Sequence, residues 1–287
     1  MKACCLEIFE CKADERTIIR HLSDVNCDDL VSSGQTFAVR VKRVQGSSPD
    51  LDIEKIERVI GSKILDRRRD IEVRLIGPDR TFFGVLTNER FIFGLKLAEV
   101  RPGAFTERRP KNRPFFHPSA LQPKLARCMV NLARPKAGST VLDPFCGSGS
   151  ILIEAGLIGC RVLGSDIKDS MVRGSLLNLR FFGIETSGLS VAEVGRLPFR
   201  GADCIVTDPP YGKSTTTLGF TIRELTSRLL SKALDILPEG GYISIASPKN
   251  LGISEIGEEN GFETVEKHFV YVHRSLTREL VVLRKGG

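Results

Sequence analysis

Apolar and polar positions in the first hundred residues follow one another in short runs of changing period. Thr36 to Val44 sets Phe37, Val39 and Val41 against Arg40 and Lys42, and this alternation predicts a half-buried strand. From Asp52 to Leu65 the spacing changes, with Ile53, Ile56, Val59, Ile60 and Ile64 on one face of a predicted helix. Strands are predicted again over Ile71–Ile76 and Thr81–Leu86, divided by the turn residues Gly77-Pro78-Asp79, and over Phe91–Leu97.

Beyond Pro114 the pattern becomes regular. Short apolar runs at Thr140–Phe145, Arg161–Ile167, Leu189–Val194, Asp203–Thr207 and Tyr242–Ala246 mostly alternate with helical segments at Ser150–Ile158, Asp169–Phe182 and Ile222–Leu237. Strands that are apolar throughout are covered by helices on both faces, so the expectation is an α/β fold with a parallel, Rossmann-like sheet. Two closing strands, Thr264–His273 and Leu276–Arg284, predict an antiparallel hairpin at its end. The expected division is an α+β domain over 1–100, a linker over 101–115 and the Rossmann-like domain over 116–287.

Composition narrows the function classes. With 41% hydrophobic and 27% charged residues the chain is ordinary globular material, and no apolar run approaches the roughly 18–20 residues of a membrane span. The N-terminus reaches the acidic Glu7 too soon for a secretory signal, so the expected location is the cytoplasm. The eight cysteines are scattered with no metal-ligand spacing; they read as reduced thiols, and no metal site is expected. A net charge of +7 is a weak argument for a polyanionic partner, but its distribution matters more: Arg101, Arg108, Arg109, Lys111 and Arg113 crowd one proline-punctuated stretch against the single acid Glu107.

Val141 to Ser150 is an apolar strand, a glycine-rich turn and the start of a helix. Gly147 and Gly149 let the backbone turn sharply and approach a ligand. A dinucleotide fingerprint is excluded because Leu152 stands where a third glycine is needed and Asp143 would repel a pyrophosphate. A phosphate-binding loop ending at Gly212-Lys213-Ser214 is excluded because Thr207 replaces its first glycine. The acidic strand end suits instead the cationic amino-acid portion of S-adenosylmethionine. Asp166, at the tip of the next strand, is placed to accept from the ribose hydroxyls, or else is a solvated turn residue. Glu193, closing the third strand, is a candidate for the adenine amino group or a surface acid. The predicted cofactor set is Asp143, Pro144, Cys146, Gly147, Gly149, Asp166, Ile167, Glu193 and Asp208.

The fourth apolar strand ends in Asp208-Pro209-Pro210-Tyr211. An exocyclic base amine is a poor nucleophile because its lone pair is delocalised into the ring. Asp208 and the carbonyl of Pro209 can accept its two hydrogens and aim the lone pair, Pro210 helps to fix that geometry, and Tyr211 offers a face for stacking. The alternative is a simple turn at a strand end.

Phe116-His117-Pro118 with Leu121-Gln122-Pro123, then DPFCGSGS, then DPPYG, resembles the archaeal and eukaryotic tRNA guanosine-10 N2-methyltransferases across nearly all of the catalytic half. Arg274-Ser275-Leu276-Thr277-Arg278 also looks like the family, with no role that spacing assigns. The N-terminal half resembles a THUMP RNA-binding domain preceded by a ferredoxin-like remnant, the segment ahead of Thr36 being short for a full one. The resemblance implies Phe116 and Pro118 over the cofactor, and tRNA held by its acceptor end with Lys42, Arg43, Arg108, Arg109, Lys111 and Arg113 as phosphate contacts. It leaves His117 a structural residue. Some family members work with a small zinc-binding activator subunit. The rival readings are an amino-methyltransferase acting on rRNA, DNA or protein glutamine, and a noncatalytic RNA-binding factor on the same fold.

Overall fold

The computed structural model describes residues 3–26, 30–99, 101, 103–210, 220–273 and 276–286. Tyr211, the segment 212–219, Arg274 and Ser275 lie outside the described residues. The chain divides into two compact units, Met1–Ala104 and Phe105–Gly287.

The first unit runs β1 (Ala3–Lys12), α1 (Glu15–Asp24), β2 (Thr36–Arg43), α2 (Ile53–Arg67), β3 (Glu72–Val73), β4 (Arg80–Thr87) and β5 (Arg90–Glu99). Its sheet has the order β1-β5-β4-β2-β3, antiparallel except that β2 runs parallel to both β3 and β4. Both helices begin on an aspartate whose side chain accepts a backbone N–H of the first turn, Asp14 from Thr17 and Asp52 from Lys55. The alternation read in β2, β4 and β5 buries Phe37, Phe82, Phe91 and Phe93 against Ile18 and Ile60, with Phe82 and Phe93 stacked at 5.7 Å. The strand expected over Ile71–Ile76 is corrected to two residues: Leu75 and Ile76 are 62% and 89% exposed, having no partner layer to alternate against.

A short α3 (Ala104–Glu107) leads into the second unit, which runs α4 (Pro123–Leu132), β6 (Thr140–Asp143), α5 (Ser150–Gly156), β7 (Arg161–Asp166), α6 (Asp169–Phe181), β8 (Gly188–Val191), β9 (Cys204–Thr207), α7 (Ile222–Ile236), β10 (Tyr242–Pro248), α8 (Ile253–Glu259), β11 (Phe262–His273) and β12 (Leu276–Lys285). The sheet order is β11-β12-β10-β9-β6-β7-β8, parallel from β10 to β8, with β12 and β11 antiparallel at one end. Neighbouring strand residues feed opposite cores: Val141 packs with Met129, Val130 and Ile151, whereas Leu142 packs with Leu229, Ile243 and Ile256. After β6 the chain winds outward through β7 and β8, then returns to place β9 on the other side of β6. That reversal opens a crevice above the carboxyl ends of β6 and β9, where an open α/β sheet binds its ligand.

The basic stretch does not form a free linker, and Arg108 and Arg113 are corrected as phosphate contacts. Arg108 Nε meets Glu154 at 2.7 Å, and Arg127 joins the same fully buried carboxylate at 2.9 Å. Arg113 is 5% exposed and donates to Ser150 Oγ at 2.7 Å and to the Arg108 carbonyl; burial brings its guanidinium down to about 10. A carboxylate buried inside α5 needs its own cations, and the sequence supplies them from this stretch. Arg109 and Lys111 remain exposed.

Candidate active site

A cavity of about 210 Å³ lies above the carboxyl ends of β6, β7, β8 and β9, continued by a smaller one of about 80 Å³ over the glycine turn. The larger is walled by Pro144, Phe145 and Gly147 after β6, Asp166, Ile167 and Met171 after β7, Glu193 and Val194 after β8, and Asp208, Pro209 and Pro210 after β9. Asp143, Cys146 and Asp208 border the smaller one.

The turn is built for close approach. Gly149 has φ +81 and opens α5 from the left-handed region; a Cβ there would lie 2.6 Å from Ser175 Oγ. Gly149 therefore shapes the loop, and its own atoms do not line either cavity. Gly147, with φ +49, lines both cavities, and a Cβ on it would point into open space. Its N–H donates to Asp166 Oδ2 at 3.1 Å, while Asp166 Oδ1 accepts from the Lys168 N–H at 2.9 Å. Asp166 is thus fixed by two backbone donors, and each oxygen keeps a further acceptor site.

Asp143 is 1% exposed. Burial, with smaller contributions from the nearby Asp208 and Asp166 charges, pushes its carboxyl up to about 7, although Thr207 Oγ1 at 2.7 Å and the Phe145 N–H at 3.1 Å donate to it. Thr207, the last residue of β9, ties the two acidic strand ends together, a role the sequence did not reveal. Burial pushes the Cys146 thiol well up, so it acts as a neutral wall. Glu193 lines the larger cavity and is held by Arg228 at 2.9 Å.

The segment ahead of α4 is shifted by one residue from expectation. Phe116 is 56% exposed and Pro118 is also exposed, and neither lines a cavity; His117 and Ser119 do. The chain bends over residues 113–115 and turns after His117, whose carbonyl accepts from the Ala120 N–H at 3.1 Å. The register is set by Phe115, which packs so closely on α6 that a Cβ on Gly174 would lie 2.2 Å from its ring. Asn178 completes the anchor: it accepts from the Phe115 N–H and donates to the Phe115 and Ser148 carbonyls at 2.9–3.0 Å. His117 Nδ1 and Ser119 Oγ are 2.7 Å apart at the cavity wall.

Asp208 is paired with Arg278 of β12, Nη2 to Oδ2 at 3.4 Å, with both side chains largely covered. Arg278 sits opposite Pro248 in the β10–β12 register and lines the cavity. The sequence pointed to the segment but not to this pairing, because it comes from a strand paired across the sheet.

The family model UPF0020, described as RMKL-like, methyltransferase domain, matches residues 110–279. A tRNA (guanine(10)-N2)-dimethyltransferase of Methanothermobacter thermautotrophicus is 42% identical over 88% of this chain and 74% of its own length, and one of Pyrococcus abyssi is 35% identical over 94% and 80%. The chain belongs to this methyltransferase family. The fold is also that of TrmN from Thermus thermophilus, with a TM-score of 0.54 and 22% identity over 99% of this chain and 83% of that one.

This methyltransferase has a pocket whose donors and acceptors fit S-adenosylmethionine. The apolar strip of Ile167, Met171 and Val194 suits a purine, the acceptor sites of Asp166 suit ribose hydroxyls, and the acids Asp143 and Asp208 suit a cation. Among the described residues no cluster of His, Cys, Asp and Glu could hold a metal ion, and no helix is long and apolar enough to cross a membrane.

Proposed function

We propose that this protein transfers a methyl group to the exocyclic N2 of a guanosine in tRNA, position 10 being the target, and that it is a cytoplasmic enzyme. The observation that carries the reading is the Asp208–Arg278 pair at the rim of the cofactor cavity. A cation at that distance favours the ionised carboxylate, which accepts hydrogen bonds and donates none. Guanine presents its N2 amine between the N1–H and the N3 lone pair, so a carboxylate approaching from the N1 side meets two donors. Adenine presents its amine beside the N1 lone pair, which an anionic oxygen repels.

A bound S-adenosylmethionine supplies a methyl group activated by the sulfonium. The chain's own residues position the nucleophile. Asp208 and the Pro209 carbonyl accept the two N–H bonds of the amine, which localises its lone pair and stabilises the positive charge that grows on nitrogen. Pro209 and Pro210 bring no N–H of their own to compete for those acceptors and restrict the backbone. Arg278 holds Asp208 in one orientation. After transfer the extra proton leaves through Asp208 or water. Tyr211, outside the described residues, keeps its proposed role as a stacking face.

The first unit is read as a THUMP-type RNA-binding domain, with Lys42 exposed for phosphate and Arg43 partly engaged on the Leu51 carbonyl. A small zinc-binding activator subunit remains part of the proposal; the sheet edge at β8, with Val191 exposed, and the exposed Leu177 and Phe181 on α6 offer it an apolar surface.

The test is incubation with unmodified tRNA and labelled S-adenosylmethionine, with and without such a subunit, followed by identification of the labelled nucleoside by mass spectrometry. Label as N2-methylguanosine or its dimethyl form, lost in Asp208→Ala with cofactor binding kept, is expected. Label on another base would overturn the guanosine assignment, and no label despite cofactor binding would overturn the tRNA assignment.

A further inference from the structure

The hairpin that delivers Arg278 carries a second feature that the transfer chemistry does not use. On β11, Phe269 and Tyr271 are 57% and 72% exposed. They are two residues apart and pair across the hairpin with Glu279 and Thr277, which flank Arg278 in β12, so they share the face opposite to Arg278's own partner Val270. Large exposed aromatics cost solubility unless something covers them. The surroundings point to what does so. Lys249, immediately after β10, sets its ammonium over the Phe269 ring at 5.3 Å, and Lys267 is exposed two residues before Phe269 in the same strand. Aromatic faces with cations beside them suit a chain of stacked bases joined by phosphates, because the rings take the bases and the ammonium groups take the backbone. A protein partner matching the same face would need acidic groups over the lysines and apolar ones over the rings.

We infer that the face of Lys249, Lys267, Phe269 and Tyr271 is an RNA-stacking platform that holds an unpaired stretch of the substrate on the sheet face opposite to Arg278. This rests on the RNA reading of the substrate and adds to it a requirement: a stretch of the RNA apart from the target base must also be unpaired when the enzyme acts, since a base in a duplex has no free face to offer. It also gives β11, at the end of the sheet, a task beyond completing the fold.

The chain contains no tryptophan, so a single one placed on this face reports on it alone. Phe269→Trp and Tyr271→Trp keep an aromatic ring at an exposed position. Their emission is measured during titration with an unmodified tRNA transcript, with binding followed in parallel by filter retention. Quenching that saturates with binding, together with a roughly tenfold rise of KM for tRNA in Phe269→Ala and Tyr271→Ala and unchanged affinity for S-adenosylmethionine, is the expected result. Lys249→Ala and Lys267→Ala should each flatten the dependence of affinity on salt. Binding and methyl transfer without quenching would overturn the platform and leave the tRNA assignment standing. Quenching without methyl transfer would do the reverse. Emission that follows protein concentration and ignores RNA would make the face an interface between copies and overturn the inference.

Discussion

At the scale of single residues the site is a set of acids held in different ways, and the roles proposed for them, binding for Asp143 and transfer for Asp208, follow those differences. Asp143 is buried with its carboxyl raised from the ordinary 3.8 to about 7. Its folded-state value lies above its unfolded one, so its protonation stabilises the fold fully below about pH 4 and that contribution is lost as pH rises through about 7. A cationic ligand reverses the preference, since it favours the anion. Asp143→Asn should therefore melt several degrees higher than the parent at about pH 8.5 and little differently at about pH 5, while binding S-adenosylmethionine more weakly and without the parent's rise in affinity through about pH 7. Calorimetry and thermal melts across that range check it, and equal pH dependence in both proteins would remove Asp143 from the cofactor's charge. Arg278 acts through Asp208. In Arg278→Ala a largely buried carboxylate loses its cation, so kcat should fall by about two orders of magnitude, from about 3 kcal/mol of lost positioning. Arg278→Lys should restore much of kcat with KM for S-adenosylmethionine unchanged throughout. A loss that Arg278→Lys does not rescue, or that falls equally on cofactor binding, would reduce Arg278 to a structural residue.

At the scale of elements, the parts that follow from pattern are those whose neighbours repeat it. β6, β7, β9 and β10 are short, mostly buried runs centred on apolar residues between two helical layers, and the two glycines mark the turn after β6. What sequence could not reach depends on packing between distant segments. β1 escapes the pattern because Leu6 is half exposed and its register with β5 shifts twice, leaving no clean alternation in Ala3–Lys12. That His117 and Ser119 rather than Phe116 and Pro118 line the cavity depends on a bend anchored by Phe115 on Gly174 and a turn closed from the Ala120 N–H to the His117 carbonyl. Thr207 and Arg278 matter through partners in other strands. Asn178 is the clearest test of this layer, because one buried amide joins the glycine turn to the segment over the cavity. Asn178→Ala leaves three backbone groups to find new partners, at about 1–3 kcal/mol for each that fails. Both thermal stability and S-adenosylmethionine affinity should drop, and Asn178→Asp should be worse, since it sets a carboxylate against two carbonyl oxygens. If melting falls and cofactor affinity does not, the anchor supports the fold alone.

At the scale of the whole molecule the question is what the excess positive charge is for. A net +7 suggests a surface for RNA, yet part of it is spent inside the second unit, where Arg108 and Arg127 neutralise Glu154 and Arg113 braces the start of α5. On the proposed function the same stretch of chain would perform two tasks, and neighbouring cations in it should respond oppositely to substitution. Arg108→Ala strands a fully buried carboxylate with one fewer partner, which should cost about 3 kcal/mol of stability, close to ten degrees of melting temperature in a unit of this size. Its remaining folded fraction should bind tRNA with the parent's salt dependence. Arg109→Ala and Lys111→Ala, exposed side chains in the same segment, should leave melting unchanged and weaken tRNA binding. Each should also lower the slope of log affinity against log salt by about one for every phosphate no longer neutralised. Melting curves and salt titrations on the three variants separate the two tasks. Equal salt slopes in all three would mean that RNA never touches this stretch, and the positive charge that serves binding would then have to lie elsewhere, with Lys42 and the β11 platform next in line.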